Sequence, residues 1–233
     1  MIWRSAICFN LLLWVSALPA ATVSGRVELA SSRESSVRKG KDYSGIAVWL
    51  EPAKDDPIDL PRMHAAMLQK EKKFTPHILV ISRGSTVDFP NHDPIYHSAF
   101  SNFEGQIFDI ALYPPGTSRS VRFNRAGIVR VFCNIHPAMS AVIVVVDTPF
   151  YAITGESGEF SIPNVAPGEY TLHFFHERAT PETLARLTEP VTVDQPDIML
   201  SATTISEAGY LPVAHKNKYG RVYRTPADEE HPY

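Results

Sequence analysis

The chain has 233 residues, of which 44% are hydrophobic and 20% charged, and this composition is typical of a globular protein rather than a disordered one. Its net charge of −3 disfavours nucleic-acid binding through bulk positive charge. The 19 prolines and 12 glycines are scattered without a period, which excludes collagen and long coiled coils. Scattered turn residues of this kind favour many short strands joined by turns.

Residues 1–21 have the pattern of a secretory signal peptide. Arg4 supplies positive charge, residues 6–15 are apolar, and small residues follow at the expected cleavage region. An uncleaved anchor is the alternative, but an apolar segment of about ten residues is too short for a good membrane span. No later stretch is apolar enough to span a bilayer. We therefore expect a soluble mature protein that is exported to the periplasm.

The predicted elements up to residue 148 are mostly short strands. They lie at residues 23–29, 46–50, 78–81, 86–89, 96–100, 107–112, 118–123, 127–133 and 141–146. Residues 30–42 are predicted as a loop, and residues 65–74 as either a strand or a short helix. The run at 141–146 is continuously apolar, as expected of a central buried strand.

The pattern changes after Pro149. Strands are predicted at residues 151–154, 159–162, 170–175, 190–194 and 198–202. A short helix is predicted to start at Thr180, which would act as its cap, with Pro181 in the first turn. Residues 206–233 are polar and aperiodic, which predicts a mobile tail.

The chain has two cysteines, and only one belongs to the predicted mature protein. Cys8 lies in the signal peptide, so Cys133 has no partner for an intramolecular disulfide. A lone thiol in an oxidising compartment is a liability unless it is buried, paired between chains or bound to a metal.

Three potential metal ligands lie close together between the strands at 127–133 and 141–146. Cys133, His136 and Met139 are spaced three residues apart on one tight loop, so their side chains can converge. His97, beside an earlier strand end, is the natural fourth donor. Two His, one Cys and a weak Met form the ligand set of an electron-transfer copper site, whereas structural zinc sites rarely recruit Met.

Other interpretations of these residues remain open. His92 could replace His97, or His97 could be a plain surface residue. Met139 could simply fill the core, since Met is common there. Cys133 and His136 could be the nucleophile and base of a hydrolase, although no third orienting group is evident.

Residues 65–147 resemble a cupredoxin, the blue-copper fold. The Cys-x-x-His-x-x-Met spacing resembles that of amicyanin, and the segment from Phe74 to His97 resembles the family's approach to its first copper ligand. The resemblance implies one type 1 copper ion bound by His97, Cys133, His136 and Met139.

The same resemblance implies a link between the two ligand segments. In the family, an Asn after the first His bridges to a hydroxyl residue after the Cys. Here Ser98 follows His97 and Asn134 follows Cys133, so amide and hydroxyl are exchanged. We predict that the Ser98 and Asn134 side chains still form a hydrogen bond of roughly 3 Å.

A second resemblance covers the remaining sequence. Residues 154–172 resemble the carboxypeptidase regulatory-like module, a small transthyretin-like sandwich, and residues 24–29 and 45–50 resemble its opening strands. The predicted fold class is therefore all-β, with a cupredoxin Greek-key sandwich inserted in this module. The predicted boundaries are 22–60 for the opening strands and linker, 61–148 for the cupredoxin domain and 149–205 for the rest of the module.

Together these features predict an exported type 1 copper protein that carries single electrons between redox partners and is not an enzyme. His136 would conduct the electron, because the loop His of this fold reaches the surface while the Cys stays inside. The alternative is a periplasmic binding protein, or a copper storage or delivery protein, that uses the second sandwich for interactions.

Four arginines bear on the predicted partner. Arg119, Arg122, Arg125 and Arg130 lie between Asp109 and Asp147 without any acidic residue among them. They predict a positive region that would dock an acidic surface of the redox partner. Ordinary solvated strand arginines are the alternative.

Overall fold

The computed structural model describes residues 20–54, 58–102, 105–212 and 214–223. These residues form eighteen strands and two short helices, so the fold is all-β, as predicted. The predicted signal peptide lies outside the described residues except at its end. Ala21, predicted as its last residue, is buried and begins the first strand, where it pairs with Val165.

The elements of the first part of the chain run as far as residue 146. They are β1 (Ala21–Ala30), α1 (Ser35–Gly40), β2 (Ala47–Pro52), β3 (His64–Ala66), β4 (Leu68–Lys70), β5 (Lys73–Thr75), β6 (Ile78–Ser82), β7 (Thr86–Pro90), β8 (His97–Ser101), β9 (Phe108–Tyr113), β10 (Ser118–Arg122), β11 (Gly127–Phe132) and β12 (Ser140–Val146).

The remaining elements begin at Tyr151. They are β13 (Tyr151–Ile153), β14 (Glu159–Val165), β15 (Gly168–Phe175), α2 (Pro181–Arg186), β16 (Glu189–Val193), β17 (Asp197–Met199) and β18 (Thr203–Ser206). Thr180 caps α2 as predicted, since its hydroxyl accepts the Thr183 N–H.

Strands from both ends of the described chain form one sandwich. One sheet has the order β14-β1-β17, with β18 also paired to β1, and the other has the order β13-β2-β15-β16. Their inner faces bury a common core that includes Val23, Ile46, Leu50, Ile162 and Leu172. The alternation of buried and partly buried residues along β1 is what one buried sheet face requires.

The intervening strands form a second sandwich. Its sheets have the orders β10-β7-β3 and β6-β12-β11-β8-β9, and a small β4-β5 hairpin accompanies them. Phe89, Phe123, Val131, Cys133 and Ile143 lie in its core. This core therefore contains one of the predicted metal ligands.

Strand β12 has apolar neighbours on both faces. Ile143 packs into the core of the second sandwich, whereas Val142, Val144 and Val146 belong to a separate buried cluster. That cluster includes Ala47 of β2 and Phe175 of β15, so it joins the two sandwiches. Burial on both faces explains the continuous apolar run of this strand.

Two predicted segments differ from the structure. The predicted loop at 30–42 contains helix α1. Residues 65–74, predicted as either a strand or a short helix, contribute to three short strands, β3 to β5. The strand predicted at 198–202 is replaced by β17 and β18, which pair with different parts of β1. β17 and β18 are positioned by pairing with β1, which is distant in sequence, rather than by local periodicity.

Among the described residues, no helix has the length and apolar character needed to cross a membrane.

Candidate metal centre

The loop from Cys133 to Met139 connects β11 to β12 and is closed by its own backbone. The Cys133 N–H donates to the Met139 carbonyl at 3.1 Å, and the Met139 N–H donates to the His136 carbonyl at 3.0 Å. Cys133 is fully buried, whereas His136 is half-buried. The loop thus directs its thiol inward and its imidazole towards the surface.

His97 approaches this loop from the neighbouring strand. It is the first residue of β8, which pairs with β11 through Phe100 and Phe132. His97 is fully buried, and a buried imidazole needs polar partners for its ring nitrogens. These partners are two residues of the loop, Cys133 and His136, and the carboxylate of Asp93.

The structure brings three of the predicted ligands together. The Nδ1 atoms of His97 and His136 lie 3.1 Å apart. The Cys133 Sγ atom lies 3.5 Å from the His136 Nδ1 atom and 3.9 Å from the His97 Nδ1 atom. These three residues form the group of potential metal ligands found among the described residues.

This triangle fits a small transition-metal ion. Metal–nitrogen and metal–sulfur bonds of about 2.0 and 2.3 Å place neighbouring ligand atoms at roughly these separations. Two imidazoles and one thiolate are also a donor set suited to copper. Hard oxygen-preferring ions such as calcium or magnesium are not suited to it.

Asp93 orients His97, and the sequence reasoning missed it. The His97 Nε2–H donates to the Asp93 Oδ2 atom at 2.7 Å, which leaves the Nδ1 lone pair free to face the centre of the triangle. Asp93 also accepts the N–H groups of Glu71 and Lys72 at 2.6 and 2.9 Å. A carboxylate four residues before the ligand, in the turn that contains Pro94, was the available signal.

These contacts shift the pKa of Asp93. Its burial alone would raise the pKa, but the hydrogen bonds from Lys72, His97 and Glu71 together lower it. Asp93 is therefore ionised and provides a fixed negative charge behind His97. Burial, helped by the charges of His97 and Lys72, lowers the pKa of His136, which favours the neutral imidazole that a metal needs.

The predicted link between Ser98 and Asn134 is present in a different form. The Ser98 hydroxyl accepts the backbone N–H of Asn134 at 2.9 Å and lies 3.8 Å from the Cys133 Sγ atom. The Asn134 side chain instead accepts the Lys218 N–H at 3.0 Å. The prediction of a side-chain pair was wrong, because the Ser98 hydroxyl contacts the backbone and thiol of the loop while the Asn134 side-chain oxygen accepts from Lys218.

The other predicted residues lie as follows. Met139 is buried in the same core cluster as Cys133, and its role as a ligand stays a prediction. His92 is exposed in a turn, outside the cluster of ligands. Exposed apolar residues surround the half-buried His136 on its own loop, namely Ile135, Pro137 and Ala138.

Three of the four arginines have identified contacts in the structure. The Arg119 guanidinium lies over the Tyr113 ring, and the Arg122 Nε–H donates to the Gly84 carbonyl. Arg130 lines a cavity between the sandwiches together with Glu177. The acidic partner that these residues suggested stays a prediction.

The C-terminal segment approaches the ligand loop, although the sequence predicts a mobile tail there. Residues 214–223 contact the loop through His215, Lys218 and Tyr223. Burial and the nearby Cys133 charge raise the pKa of Tyr223 to about 12, so its hydroxyl keeps its hydrogen. Aromatic residues within an otherwise polar tail were the only signal for this contact.

Solved structures of copper proteins are similar to part of the chain. A copper-containing nitrite reductase from Thermus scotoductus has a TM-score of 0.36 and 23% identity, over 42% of this chain and 26% of that one. A purple cupredoxin from Nitrosopumilus maritimus has a TM-score of 0.33 and 21% identity, over 35% of this chain and 99% of that one. Amicyanin from Paracoccus versutus has a TM-score of 0.33 and 22% identity, over 42% of this chain and 91% of that one.

No family model matches the sequence, and no curated protein matches it. The structural likenesses concern less than half of this chain. The side-chain geometry of the ligand cluster therefore carries the functional argument.

Proposed function

We propose that the chain binds one copper ion through His97, Cys133 and His136, with Met139 as a weak axial ligand, and carries single electrons. The observation that supports this most directly is the triangle of one thiol and two imidazole nitrogens, 3.1 to 3.9 Å apart. Copper, when bound, would supply a one-electron couple between its two oxidation states.

The residues of the site would have different roles according to how deeply they are buried. The full burial of Cys133 keeps water away from its thiolate, and the hydrogen bond to Asp93 holds His97 in one tautomer. His136 is the ligand nearest to solvent, so its outer ring edge would be the path for electrons to and from a partner. The exposed Ile135, Pro137 and Ala138 would form an apolar docking rim around it.

The hydrolase interpretation is disfavoured by burial. A nucleophile must meet its substrate, and the Cys133 side chain is fully buried below the loop. Its nearest polar neighbours are Ser98 and the two imidazoles, which suits a metal ligand. We therefore propose a carrier rather than an enzyme.

The proposal extends to the cellular setting and to the other sandwich, which does not contain the ligand cluster. The N-terminal pattern supports export to the periplasm, where copper carriers can exchange electrons with other proteins. We propose that the sandwich built from β1, β2 and β13 to β18 is a regulatory-like module that supports the copper domain. An acidic redox partner belongs to the same proposal, with Lys72 near His136 contributing positive charge.

A visible spectrum tests the proposed site. Adding Cu(II) to the full chain should give an intense blue colour from thiolate charge transfer, at one copper per chain, with reversible reduction. Cys133→Ser should abolish the colour, because the thiolate is the source of the band. His92→Gln, at an exposed histidine outside the cluster, is the matched control and should keep it.

The same preparation separates the carrier from a copper delivery protein. A carrier should hold Cu(I) and Cu(II) alike and lose neither readily to a competing chelator. Rapid loss of Cu(I) to the chelator would favour delivery instead. Copper binding without a thiolate charge-transfer band would contradict the proposed ligand set.

A further inference from the structure

The C-terminal segment from Ala214 to Tyr223 folds on itself before it meets the ligand loop. The Asn217 side chain accepts the N–H groups of Tyr219 and Arg221 at 3.0 Å each. The Asn217 N–H donates to the Arg221 carbonyl at 2.8 Å, and Gly220 adopts a positive φ of 73°. This tight turn brings Tyr223 back beside His215.

Two aromatic residues at the ends of the turn hold the loop. The His215 ring stacks on Phe132, with centroids 4.0 Å apart, and its Nε2–H donates to the Pro137 carbonyl at 2.7 Å. The Tyr223 hydroxyl donates to the Cys133 carbonyl at 2.8 Å and lies 3.2 Å from the His215 Nδ1 atom. Both residues are half-buried in this position.

The middle of the turn adds a third point of attachment. The Lys218 N–H donates to the Asn134 side chain at 3.0 Å, and the Lys218 ammonium pairs with Asp109 of β9 at 2.8 Å. The segment therefore contacts four loop or loop-flanking residues, Phe132, Cys133, Asn134 and Pro137. Apart from Phe132, which ends β11, all of them belong to the loop from Cys133 to Met139.

We propose that residues 214–223 act as a clamp on the ligand loop, with Tyr223 and His215 as positioning residues. The clamp holds the loop through Cys133, Asn134 and Pro137, so that the thiol and imidazole of the loop are held in place before any metal binds. A loop held in this way resists rearrangement when a bound ion changes its charge. That consequence for copper rests on the proposed function, whereas the clamp itself does not.

Amide hydrogen exchange in the metal-free full chain tests the clamp. The Cys133, Asn134 and Met139 amides report on the loop, because each donates a hydrogen bond within it or to Ser98. In Tyr223→Phe these amides should exchange about fivefold faster, as expected for the loss of one net hydrogen bond. Tyr219→Phe removes a hydroxyl from an exposed residue of the same turn, keeps the aromatic ring beside the Lys218 ammonium and should leave them unchanged.

Changes at His215 separate its two contacts. His215→Phe keeps a ring on Phe132 but loses the bond to Pro137, whereas His215→Ala loses both, so exchange should be faster in the alanine variant. Combining His215→Ala with Tyr223→Phe should give less than the sum of the two effects, because the two residues contact each other. Equal exchange rates in Tyr223→Phe and Tyr219→Phe would overturn the clamp.

Copper-loaded protein gives a second, independent measurement. Tyr223→Phe should shift the charge-transfer band and the reduction potential, while Tyr219→Phe should not. A chain that never turns blue contradicts the proposed function but leaves the exchange experiment valid. If the copper-loaded protein is blue but the loop amides exchange equally fast in the wild type and in Tyr223→Phe, the clamp is overturned and the proposed function stands.

Discussion

Asp93 is tied to its surroundings more tightly than a surface carboxylate would be. It accepts two backbone N–H groups and the His97 Nε2–H, and it is buried. These donors together hold the pKa of Asp93 below its usual range in spite of burial. Its charge therefore favours the more positive state of any ion bound at His97.

Replacing Asp93 by Asn should weaken Cu(II) binding about tenfold, the lower end of the range for groups that orient metal ligands. The amide removes the charge behind His97 and can no longer accept all three donors. A competitive Cu(II) titration measures the effect. Asp197→Asn makes the same charge change at an exposed residue of β17 and should leave the affinity unchanged.

The melting temperature of the metal-free protein distinguishes a local effect from damage to the fold. Asp93→Asn should lower it modestly, since the Glu71 and Lys72 N–H groups lose part of their acceptor. Unchanged Cu(II) affinity in a folded variant would contradict the role given to Asp93.

Met139 provides a second test at this scale. Met139→Leu should keep the blue colour and raise the reduction potential, because a weak donor to Cu(II) is replaced by a side chain that cannot donate. Cyclic voltammetry measures the shift, and Met199→Leu at a largely exposed residue is the control. An unchanged potential would mean that Met139 only fills the core.

Strand β12 determines where the ligand loop ends. Its pairing with β11 is in continuous register from Gly127 opposite Val145 to Phe132 opposite Ser140. It also pairs with β6 in parallel on its other edge. Because both edges are hydrogen-bonded and both faces are buried, the end of the loop at Met139 has little freedom to move.

Ile143→Ala should lower the free energy of unfolding by about 2 to 5 kcal/mol, the usual cost of a large cavity in a core. Ile143 is fully buried beside Cys133 in the second sandwich. Ile107→Ala, at a residue that is 74% exposed, should change stability by less than about 0.5 kcal/mol. Denaturant unfolding followed by fluorescence gives both values, and similar losses would refute the packing described for β12.

The sequence predicted most strands because their alternation of buried and exposed residues is a local signal. It also indicated the Cys133 loop, since three soft donors at equal spacing are a local signal too. Helix α1 has only six residues and no apolar stripe, so nothing local distinguished it from a loop. The contacts of Tyr223 join residues 90 positions apart, and no periodicity in the tail could predict them.

The two sandwiches are joined by a polar contact as well as by the apolar cluster. His77, just before β6, has its Nδ1 atom 3.1 Å from the Ser140 carbonyl and its Nε2 atom 2.8 Å from Glu177, which follows β15. The hydrogen bond to Glu177 raises the pKa of His77. Burial would raise the pKa of Glu177, but the bond to His77 and the charge of Arg178 lower it.

This ion pair predicts a pH dependence of stability. The His77 contribution is complete below its unfolded pKa of 6.5 and is lost as the pH rises through its higher folded pKa. The Glu177 contribution is complete above its unfolded pKa of 4.5 and is lost as the pH falls through its lower folded pKa. The pair is therefore most stabilising at mildly acidic pH.

His77→Gln should destabilise the protein more at about pH 6 than at about pH 8.5, by roughly 0.2 to 1 kcal/mol, because the His77 side chain is partly screened by solvent. Denaturant unfolding of wild type and variant at both pH values measures the difference. His92→Gln, at an exposed histidine with no carboxylate partner among the described ion pairs, should show no such difference. A pH-independent effect of His77→Gln would show that the pair is not ionised.

The apolar outer face of β6 and β12 has a consequence for any attempt to excise the second sandwich. In a fragment limited to β3 to β12, Ile78, Val80, Val142, Val144 and Val146 would become a continuous water-exposed stripe. Such a stripe promotes self-association, so the fragment should precipitate or dimerise unless alternate positions are made polar. Size-exclusion chromatography of the fragment would show this directly. The unbroken apolar run of β12 thus marks, in the sequence itself, a sandwich that depends on a permanent neighbour.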